Sequence, residues 1–188
     1  MTRAAPQAGD VRAMLDGRSV VLVGLMGAGK TTVGRRLAAA LKLAFVDADS
    51  EIEKAAGKSV QEIFAEHGEV YFRDGERRVI ARLLDEGPQV LATGGGAFMN
   101  AATRLKIRER GVSVWLRADL QLLMKRVLRR SHRPLLKQTD PRLVMEQLME
   151  ERYPVYATAD LTVDSQDAPH DLIVKQIVEQ LASLTRTP

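Results

Sequence analysis

The chain has 188 residues, of which 45% are apolar and 28% are charged, and its formal net charge at pH 7 is +4. This length favours one domain that can bury a full core, and the composition is ordinary for a globular protein. Because the sequence contains no cysteine, disulfides, thiolate metal sites and thiol catalysis are excluded.

The first stretch of the chain, residues 1–18, is rich in alanine and polar residues and shows no periodicity. We expect it to form a loosely ordered head. Residues 1–17 lack the continuous apolar core of a secretory signal, and no apolar run in the sequence approaches the span of a bilayer. The sequence therefore predicts a cytoplasmic protein with no membrane partner.

The next segment carries the clearest motif in the chain. The apolar run at residues 19–23 leads into residues 24–31, which have the spacing GxxxxGKT, and a helical pattern follows up to Leu41. This order predicts a strand, a phosphate-binding loop and a helix, because glycines let consecutive backbone N–H groups turn toward a phosphate. Lys30 would reach the outer phosphates, and the Thr31 hydroxyl would ligate Mg²⁺. A glycine turn that merely joins a strand to a helix would leave Lys30 without a purpose, so we expect a nucleoside triphosphate to bind here.

Two acidic residues follow the second predicted strand. Residues 43–46 read as a short buried strand, and Asp47 and Asp49 come at its carboxyl end, where ligands collect in parallel α/β sheets. Asp49 or Ser50 can also cap a short helix that Gly57 ends. Helix capping and ligand binding are therefore both open roles for this acidic pair.

A helical region and a second glycine loop come next. Ser59 and Glu62 form a capping box, which predicts a helix that runs to about His67, and residues 71–86 continue as helix. Adjacent glycines sacrifice backbone order and usually allow a ligand to approach the main chain, although a flexible turn is the alternative. Such a run follows the strand at residues 89–92 directly and consists of Gly94, Gly95 and Gly96.

The last part of the chain alternates helices and strands around one irregular segment. Residues 129–140 are basic, broken by Pro134 and poorly periodic, so we expect a mobile lid over the phosphate site. The polar face of the preceding helix carries Lys125 and Arg126. The regular elements predicted here are helices at residues 100–110, 119–128, 141–153 and 169–184 and strands at residues 113–116 and 161–164.

Five predicted strands thus alternate with helices, and the sequence shows no internal repeat and no interdomain linker. This alternation is typical of an α/β fold with a parallel sheet. We therefore predict one domain over residues 1–188, a three-layer doubly wound sandwich with a five-stranded parallel sheet of the P-loop NTPase type.

The remaining motifs narrow the phosphate chemistry. A GTPase would need a DxxG segment after a strand and an NKxD segment that reads guanine, and the sequence has neither. A motor or transporter ATPase usually has an apolar strand that ends in an acid, whereas the third strand here ends in Thr93 and Gly94. The basic cluster at residues 125–133 has no stacking aromatics around it, which argues against a nucleic-acid partner. A small-molecule kinase fits best, with a non-catalytic ATP-binding regulator as an alternative.

Six segments in this order and spacing resemble the shikimate kinase family. The resemblance covers about residues 19–180. The segments are GLMGAGKTTVGRRLA from residue 24, Asp47 with Asp49, FRDGE at residues 72–76, TGGG at residues 93–96, RPLL at residues 133–136 and ERYPVY at residues 151–156.

This resemblance implies an enzyme of the nucleoside monophosphate kinase branch of P-loop folds. Its activity would be the Mg²⁺-dependent transfer of the γ-phosphoryl group of ATP to the 3-hydroxyl of shikimate, within aromatic amino-acid biosynthesis. ATP is then a co-substrate, Mg²⁺ the cofactor and shikimate the second substrate, and we expect a monomer. Helices that bind the substrate would occupy about residues 50–86, and the lid residues 129–140. A related kinase, such as one for gluconate, is the alternative.

The resemblance also implies an acceptor site. Arg73 and Arg152 would hold the shikimate carboxylate, a role that suits guanidinium forks because they bind carboxylates bidentately. Glu76, three residues after Arg73, can orient that guanidinium. Asp49 would hold the ring hydroxyls and orient the proton of the 3-hydroxyl. The remaining acceptor contacts are expected from Gly94, Gly95, Gly96, Phe64 and Phe72.

The resemblance also assigns residues to the phosphates of ATP and to the metal. Thr31 would ligate Mg²⁺ directly and Asp47 through water, since Mg²⁺ keeps several of its waters. Arg133 would swing onto the transferring phosphoryl group, so that it is catalytic together with Lys30 and Asp49. The phosphate contacts are expected from Gly27, Ala28, Gly29, Lys30, Thr31 and Thr32.

The adenine pocket is the part of the ATP site that the sequence describes least. Arg126 resembles the arginine that stacks on adenine in this family, and Pro169 would lie on the far side of the base. The surrounding Lys125, Arg129 and Arg130 form a basic patch in which another residue could serve instead.

Overall fold

The structure is a computed structural model that describes residues 8–129 and 140–184. In these residues the strands are β1 (Ser19–Val23), β2 (Ala44–Asp47), β3 (Gln89–Ala92), β4 (Gly111–Arg117) and β5 (Leu161–Asp164). They form one sheet in the order β2-β3-β1-β4-β5, and every pairing is parallel. Val20 at the centre pairs with Val90 on one side and Val112 on the other. The predicted parallel five-stranded sheet is confirmed.

Helices cover both sides of this sheet, which gives the predicted three layers. In the described part of the chain the α-helices are α1 (Ala8–Met14), α2 (Lys30–Leu41), α3 (Ala48–Ala56), α4 (Val60–Asp85), α5 (Ala101–Arg110), α6 (Leu120–Leu128), α7 (Pro141–Tyr156) and α8 (His170–Leu184), and a 3₁₀ turn covers Ala97–Met99. β3 and β4 follow each other in the chain yet lie on opposite sides of β1. Ligands bind at the carboxyl ends of strands where the winding reverses in this way, so the fold itself marks a site beyond β1.

The core is built from the strands and from the inner faces of the helices. All five residues of β1 are buried, as expected for a central parallel strand covered on both faces. β2 differs from the prediction of a buried strand, because it is at the edge of the sheet and its residues are exposed or only half-buried. Its Phe45 ring nevertheless packs so closely on α2 that a Cβ at Gly34 would come within 2.6 Å of Cε2.

The helix ends follow the local sequence signals with one exception. The capping box of Ser59 and Glu62 begins α4, and Gly57 ends α3 in the left-handed conformation, both as predicted. The prediction that Asp49 or Ser50 caps α3 is wrong, since Asp47 is the cap and its side chain accepts from the backbone N–H groups of Asp49 and Ser50. The reason is that β2 runs directly into α3 with no intervening loop.

Two further helical segments bear on the predicted boundaries. The expected interruption after about residue 67 is confirmed, since α4 is kinked at Gly68, where φ is 78° and ψ is 177°. In the predicted loose head, residues 8–14 form α1, and Val11 and Leu15 are buried in the core. Residues 1–7 lie outside the described part of the chain. Of the described helices, none combines the length and apolar character needed to cross a bilayer.

Candidate active site

A cavity of about 310 Å³ opens at the carboxyl ends of the central strands. The phosphate loop after β1 forms one wall, and the glycine loop after β3 forms another. Residues brought together on this cavity include Lys30, Thr31, Asp47, Asp49, Gly94 and Arg126. The crevice at the reversal of the strand order therefore contains most of the site residues that were predicted from the sequence.

The phosphate loop begins at a glycine that a residue with a side chain could not replace without a shift of the backbone. Gly24 has a φ of 141°, and a Cβ there would lie 2.8 Å from the Leu116 carbonyl oxygen. α2 begins at Lys30, so its first backbone N–H groups and the positive end of its dipole face the loop. The Lys30 ammonium donates to the carbonyl oxygens of Gly24 at 2.7 Å and of Leu25 at 2.9 Å. The ammonium thus lies over the loop, where an anion would meet it.

Two oxygen donors stand together at the start of α2 and the end of β2. The Thr31 hydroxyl donates to Asp47 Oδ2 at 3.1 Å, while Oδ1 of the same carboxylate caps α3. Both residues line the cavity. Hard oxygen donors of this kind fit Mg²⁺. The described residues hold no cluster of three or more His, Cys, Asp and Glu suited to a metal.

The triple-glycine loop lets two carboxylates approach its backbone. A Cβ at Gly94 would lie 2.8 Å from Glu76 Oε1 and 3.0 Å from Asp49 Oδ1. Two acids from α4 and α3 therefore meet at the first glycine of the loop. Any side chain at this position would displace them, which is why the loop needs glycine here rather than only a flexible turn.

Two arginines pack on the next two glycines. A Cβ at Gly95 would lie 3.3 Å from Arg152 Nη1, and one at Gly96 would lie 2.4 Å from the Arg73 guanidinium carbon. Arg73 also donates to Glu76 Oε2 at 2.8 Å, so the predicted contact between these two residues is confirmed. Arg73 and Arg152, on α4 and α7, come to one loop from distant parts of the sequence. The result is a cluster of two guanidinium groups and two carboxylates around one loop. Of these four side chains, Asp49 belongs to the described lining of the cavity, whereas Arg73, Glu76 and Arg152 lie beyond it.

Burial changes the ionisation of the Glu76 carboxyl group. Its residue is 2% exposed, and this burial raises the pKa of the carboxyl. The hydrogen bond and the charge of Arg73 oppose that rise, whereas the neighbouring Asp49 adds to it. Among the described residues, Glu76 Oε1 has no hydrogen-bond partner. A buried carboxylate oxygen without a partner is costly. Glu76 Oε1 is therefore placed to accept a hydrogen bond from a bound hydroxyl group or water.

Arg126 joins the phosphate loop to the connection between β5 and α8. Its Nη1 donates to the Gly27 and Ala28 carbonyl oxygens at 3.2 Å and 3.3 Å and to Ser165 Oγ at 2.9 Å. Its Nη2 donates to the Gln166 carbonyl oxygen at 2.9 Å. Four contacts fix the plane of this guanidinium at the edge of the cavity.

The neighbours of Arg126 in the basic patch lie differently. Lys125 forms an ion pair with Asp167 and lines a separate groove, whereas Arg129 lines the same cavity as Arg126. Arg130 and Arg133 lie outside the described residues, as does most of the expected lid. The structure therefore leaves Arg126 and Arg129 as the two described arginines that border the nucleotide cavity.

Several predicted contacts do not reach the cavity. The rings of Phe64 and Phe72 lie 4.5 Å apart, and Phe72 is buried in a separate apolar cluster with Ile52 and Ile63. Within the described lining of the cavity, neither ring is present. Ala28 contributes its carbonyl oxygen to Arg126 and Ser165, and Thr32 lines the cavity.

Two residues near the site were missed by the sequence analysis. One is His170, the neighbour of the predicted Pro169, which lines the cavity. Tyr156 donates its hydroxyl hydrogen to the Gly95 carbonyl oxygen. Its presence in the ERYPVY segment was the only signal that could have pointed to it.

Comparison with known proteins gives one consistent result. A sequence model described as shikimate kinase matches residues 26–182. The shikimate kinase of Bradyrhizobium diazoefficiens is 59% identical over 179 residues, 95% of this chain and 86% of that protein. That of Brucella canis is 57% identical over 173 residues, 92% of this chain and 86% of that protein. The solved structure of shikimate kinase from Acinetobacter baumannii in complex with shikimate superposes with a TM-score of 0.87 at 36% identity, covering 94% of this chain and 99% of that one.

Proposed function

The chain belongs to the shikimate kinase family, and we propose that it transfers the γ-phosphoryl group of ATP to the 3-hydroxyl of shikimate, giving shikimate 3-phosphate and ADP in aromatic amino-acid biosynthesis. One observation carries this proposal. The triple-glycine loop contacts both the phosphate loop and a group of charged side chains, which are Asp49, Arg73, Glu76 and Arg152. Asp49, Gly94 and Gly95 line the same cavity as the phosphate loop, and a donor half that adjoins an acceptor half suits an in-line phosphoryl transfer.

The acceptor half matches the chemistry of shikimate, a small ring with one carboxylate and three hydroxyls. Arg73 and Arg152 bind the carboxylate as guanidinium forks, because both lie against the glycine loop. Asp49, at the cavity, accepts from the ring hydroxyls and orients the 3-hydroxyl toward the donor. The transition state of phosphoryl transfer is loose, so this positioning matters more than full proton removal.

The donor half binds the triphosphate through backbone N–H groups of residues 27–32 and through Lys30. In the structure the Lys30 ammonium donates to two loop carbonyls. When ATP binds, the ammonium donates instead to the outer phosphate oxygens, where its charge counters the charge that develops during transfer. Arg126 then offers its fixed guanidinium plane to the adenine, with Pro169 and the adjoining His170 on the opposite side.

Thr31 and Asp47 would hold Mg²⁺, Thr31 directly and Asp47 through water. Their shared hydrogen bond places both oxygens at the phosphate end of the cavity. A bound Mg²⁺ supplies charge neutralisation at the phosphates. Arg133, which lies outside the described residues, is proposed on the family resemblance alone to bind the transferring phosphoryl group, and residues 129–140 to act as the lid.

We further propose that the protein acts as a cytoplasmic monomer, with small-molecule substrates and neither nucleic-acid nor membrane partners. The basic side chains outside the cavity support this, since Lys125 and Arg117 form ion pairs with Asp167 and Asp164. Light scattering on the purified chain at micromolar concentration measures the mass of the particle. A dimer or larger particle there would overturn the monomer.

The activity is tested by ADP release from MgATP with shikimate, with gluconate and with no acceptor. We expect turnover with shikimate alone, and shikimate 3-phosphate as the product by ³¹P NMR. Turnover with gluconate in place of shikimate would instead establish the related sugar-acid kinase. ATP binding without acceptor-dependent turnover would establish a regulator.

A further inference from the structure

Tyr156 lies in the last turn of α7, fully buried beneath the triple-glycine loop. Its hydroxyl donates to the carbonyl oxygen of Gly95, the middle glycine, across 61 residues of sequence. A peptide unit is planar, so fixing the Gly95 carbonyl also fixes the following N–H, that of Gly96, on the opposite side. One side chain thus sets the orientation of a peptide in a loop whose glycines would otherwise leave it free.

The same hydroxyl lies close enough to Arg152 for the two groups to interact electrostatically. The charge of the Arg152 guanidinium opposes the rise that burial gives to the pKa of Tyr156. The two residues are four apart on α7 and therefore lie on one helix face. Arg152 also approaches Gly95 directly. Tyr156 consequently anchors the glycine loop at the residue on which Arg152 packs, and the proposed function assigns Arg152 to the shikimate carboxylate.

An aromatic cluster holds the Tyr156 ring in place. Its ring centroid lies 6.4 Å from that of Phe98, 5.9 Å from Trp115 and 6.3 Å from Tyr153. Trp115 belongs to β4, so the position of the hydroxyl is set by the sheet. Burial raises the pKa of Tyr156 to about 12, which keeps the hydroxyl protonated and able to donate at every physiological pH.

We propose that Tyr156 is a positioning residue for the acceptor, whose hydroxyl holds the Gly95 carbonyl and thereby fixes the glycine loop relative to the Arg152 guanidinium that packs on it. The inference rests on the proposed function, because it takes the ligand between these groups to be shikimate. Tyr156 acts through the loop and the arginine and does not itself touch the substrate. Its loss affects acceptor binding first, since the phosphate loop and Arg126 have their own contacts.

Tyr156→Phe removes the hydroxyl and keeps the ring, and Tyr153→Phe is a matched control. Tyr153 belongs to the same aromatic cluster and donates to a backbone carbonyl, that of Ala118, away from the glycine loop. We expect Tyr156→Phe to raise the KM for shikimate about tenfold, the usual effect of losing one buried hydrogen bond. Its KM for MgATP should change less than about twofold, and Tyr153→Phe should leave both constants near wild type.

Three kinetic outcomes would overturn the proposal. They are an unchanged KM for shikimate, an equal rise in both KM values, and the same selective rise in Tyr153→Phe. A melting temperature for each variant shows whether a loss of fold accompanies the effect. If Tyr156→Phe does not fold, the wild-type chain labelled with 3-fluorotyrosine gives the answer, because the chain has three tyrosines. Shikimate should then shift the ¹⁹F signal of Tyr156 and leave that of Tyr153 in place, and the absence of such a shift rejects the role.

A measurement without any ligand separates this inference from the proposed function. In the apo protein, Tyr156→Phe should move the backbone amide signals of residues 94–96 and speed their hydrogen exchange, and Tyr153→Phe should not. If the wild type shows no shikimate-dependent turnover while these amides respond, the proposed function fails and the anchoring of the loop stands. If turnover is present and the amides do not respond, the anchoring by Tyr156 is rejected.

Discussion

The guanidinium of Arg73 donates to Glu76 Oε2 at 2.8 Å, and the carboxylate that receives it is almost fully buried. The two residues are three apart on α4, so the helix itself brings them together. The same guanidinium packs on Gly96, while Glu76 Oε1 meets Gly94. Glu76 thus sets where Arg73 can place its free N–H groups, at the end of the pocket that we assign to the acceptor carboxylate.

Glu76→Gln should therefore impair acceptor binding selectively. Glutamine keeps the shape but loses the charge that orients Arg73, so we expect the KM for shikimate to rise about five- to tenfold and the KM for MgATP to stay near wild type. Steady-state kinetics with each substrate varied in turn measures both constants. Glu69→Gln is the matched control, because Glu69 also pairs with Arg73 but its side chain is 66% exposed. Equal effects of the two variants would contradict a special role for the buried carboxylate.

The raised pKa of Glu76 predicts a pH-dependent difference in stability. Burial favours the protonated carboxyl in the folded protein, so the folded pKa lies above the usual value of 4.5. Below pH 4.5 the group is protonated in both states, and as the pH rises through the folded pKa its ionisation disfavours the folded state. Glu76→Gln cannot ionise and escapes this loss. Urea unfolding of both proteins between pH 5 and 8 should show the free energy of unfolding of the variant gaining on wild type as pH rises, and a constant difference would speak against the shift.

Local signals in the sequence predicted the elements well, whereas contacts between distant segments could not be predicted. The capping box at Ser59 and the glycine at position 57 act over a few residues, so pattern alone fixes those helix ends. The hydrogen bond from Tyr156 to Gly95 joins residues 61 apart. Nothing in the periodicity of either segment shows that they meet, because the meeting depends on how α7 packs over the sheet. The predicted cap at Asp49 or Ser50 was wrong because β2 runs directly into α3, so that Asp47 caps the helix.

Arg152→Lys should weaken shikimate binding although the charge is kept. Lysine has one ammonium in place of the planar fork, so it cannot bind a carboxylate with two parallel hydrogen bonds. It also lacks the Nη1 atom that packs on the glycine loop at Gly95. We expect the Kd for shikimate, measured by calorimetry, to rise about 10- to 100-fold. The Kd for ATP should change little, and a parallel loss for both ligands would count against the carboxylate role.

Lys30→Ala should reduce kcat by about 100-fold or more. The ammonium lies at the phosphate loop, where it neutralises charge that grows toward the transition state, so chemistry suffers more than ATP binding. Single-turnover measurement of ADP formation at saturating substrates isolates the chemical step from product release. A melting curve shows whether the loop survives the loss of the two carbonyl contacts. Turnover within a few-fold of wild type would show that Lys30 is not a catalytic residue.

Thr31→Val should raise the requirement for Mg²⁺. The substitution keeps the branched shape but removes the hydroxyl that donates to Asp47 Oδ2, and with it one of the two oxygen donors at the proposed metal position. We expect the Mg²⁺ concentration for half-maximal activity at fixed ATP to rise about tenfold, while the KM for shikimate stays near wild type. Titration of Mg²⁺ at several fixed shikimate concentrations separates the two effects. An unchanged Mg²⁺ midpoint would show that Thr31 is no ligand, and a rise in the KM for shikimate alone would place its role in the acceptor half.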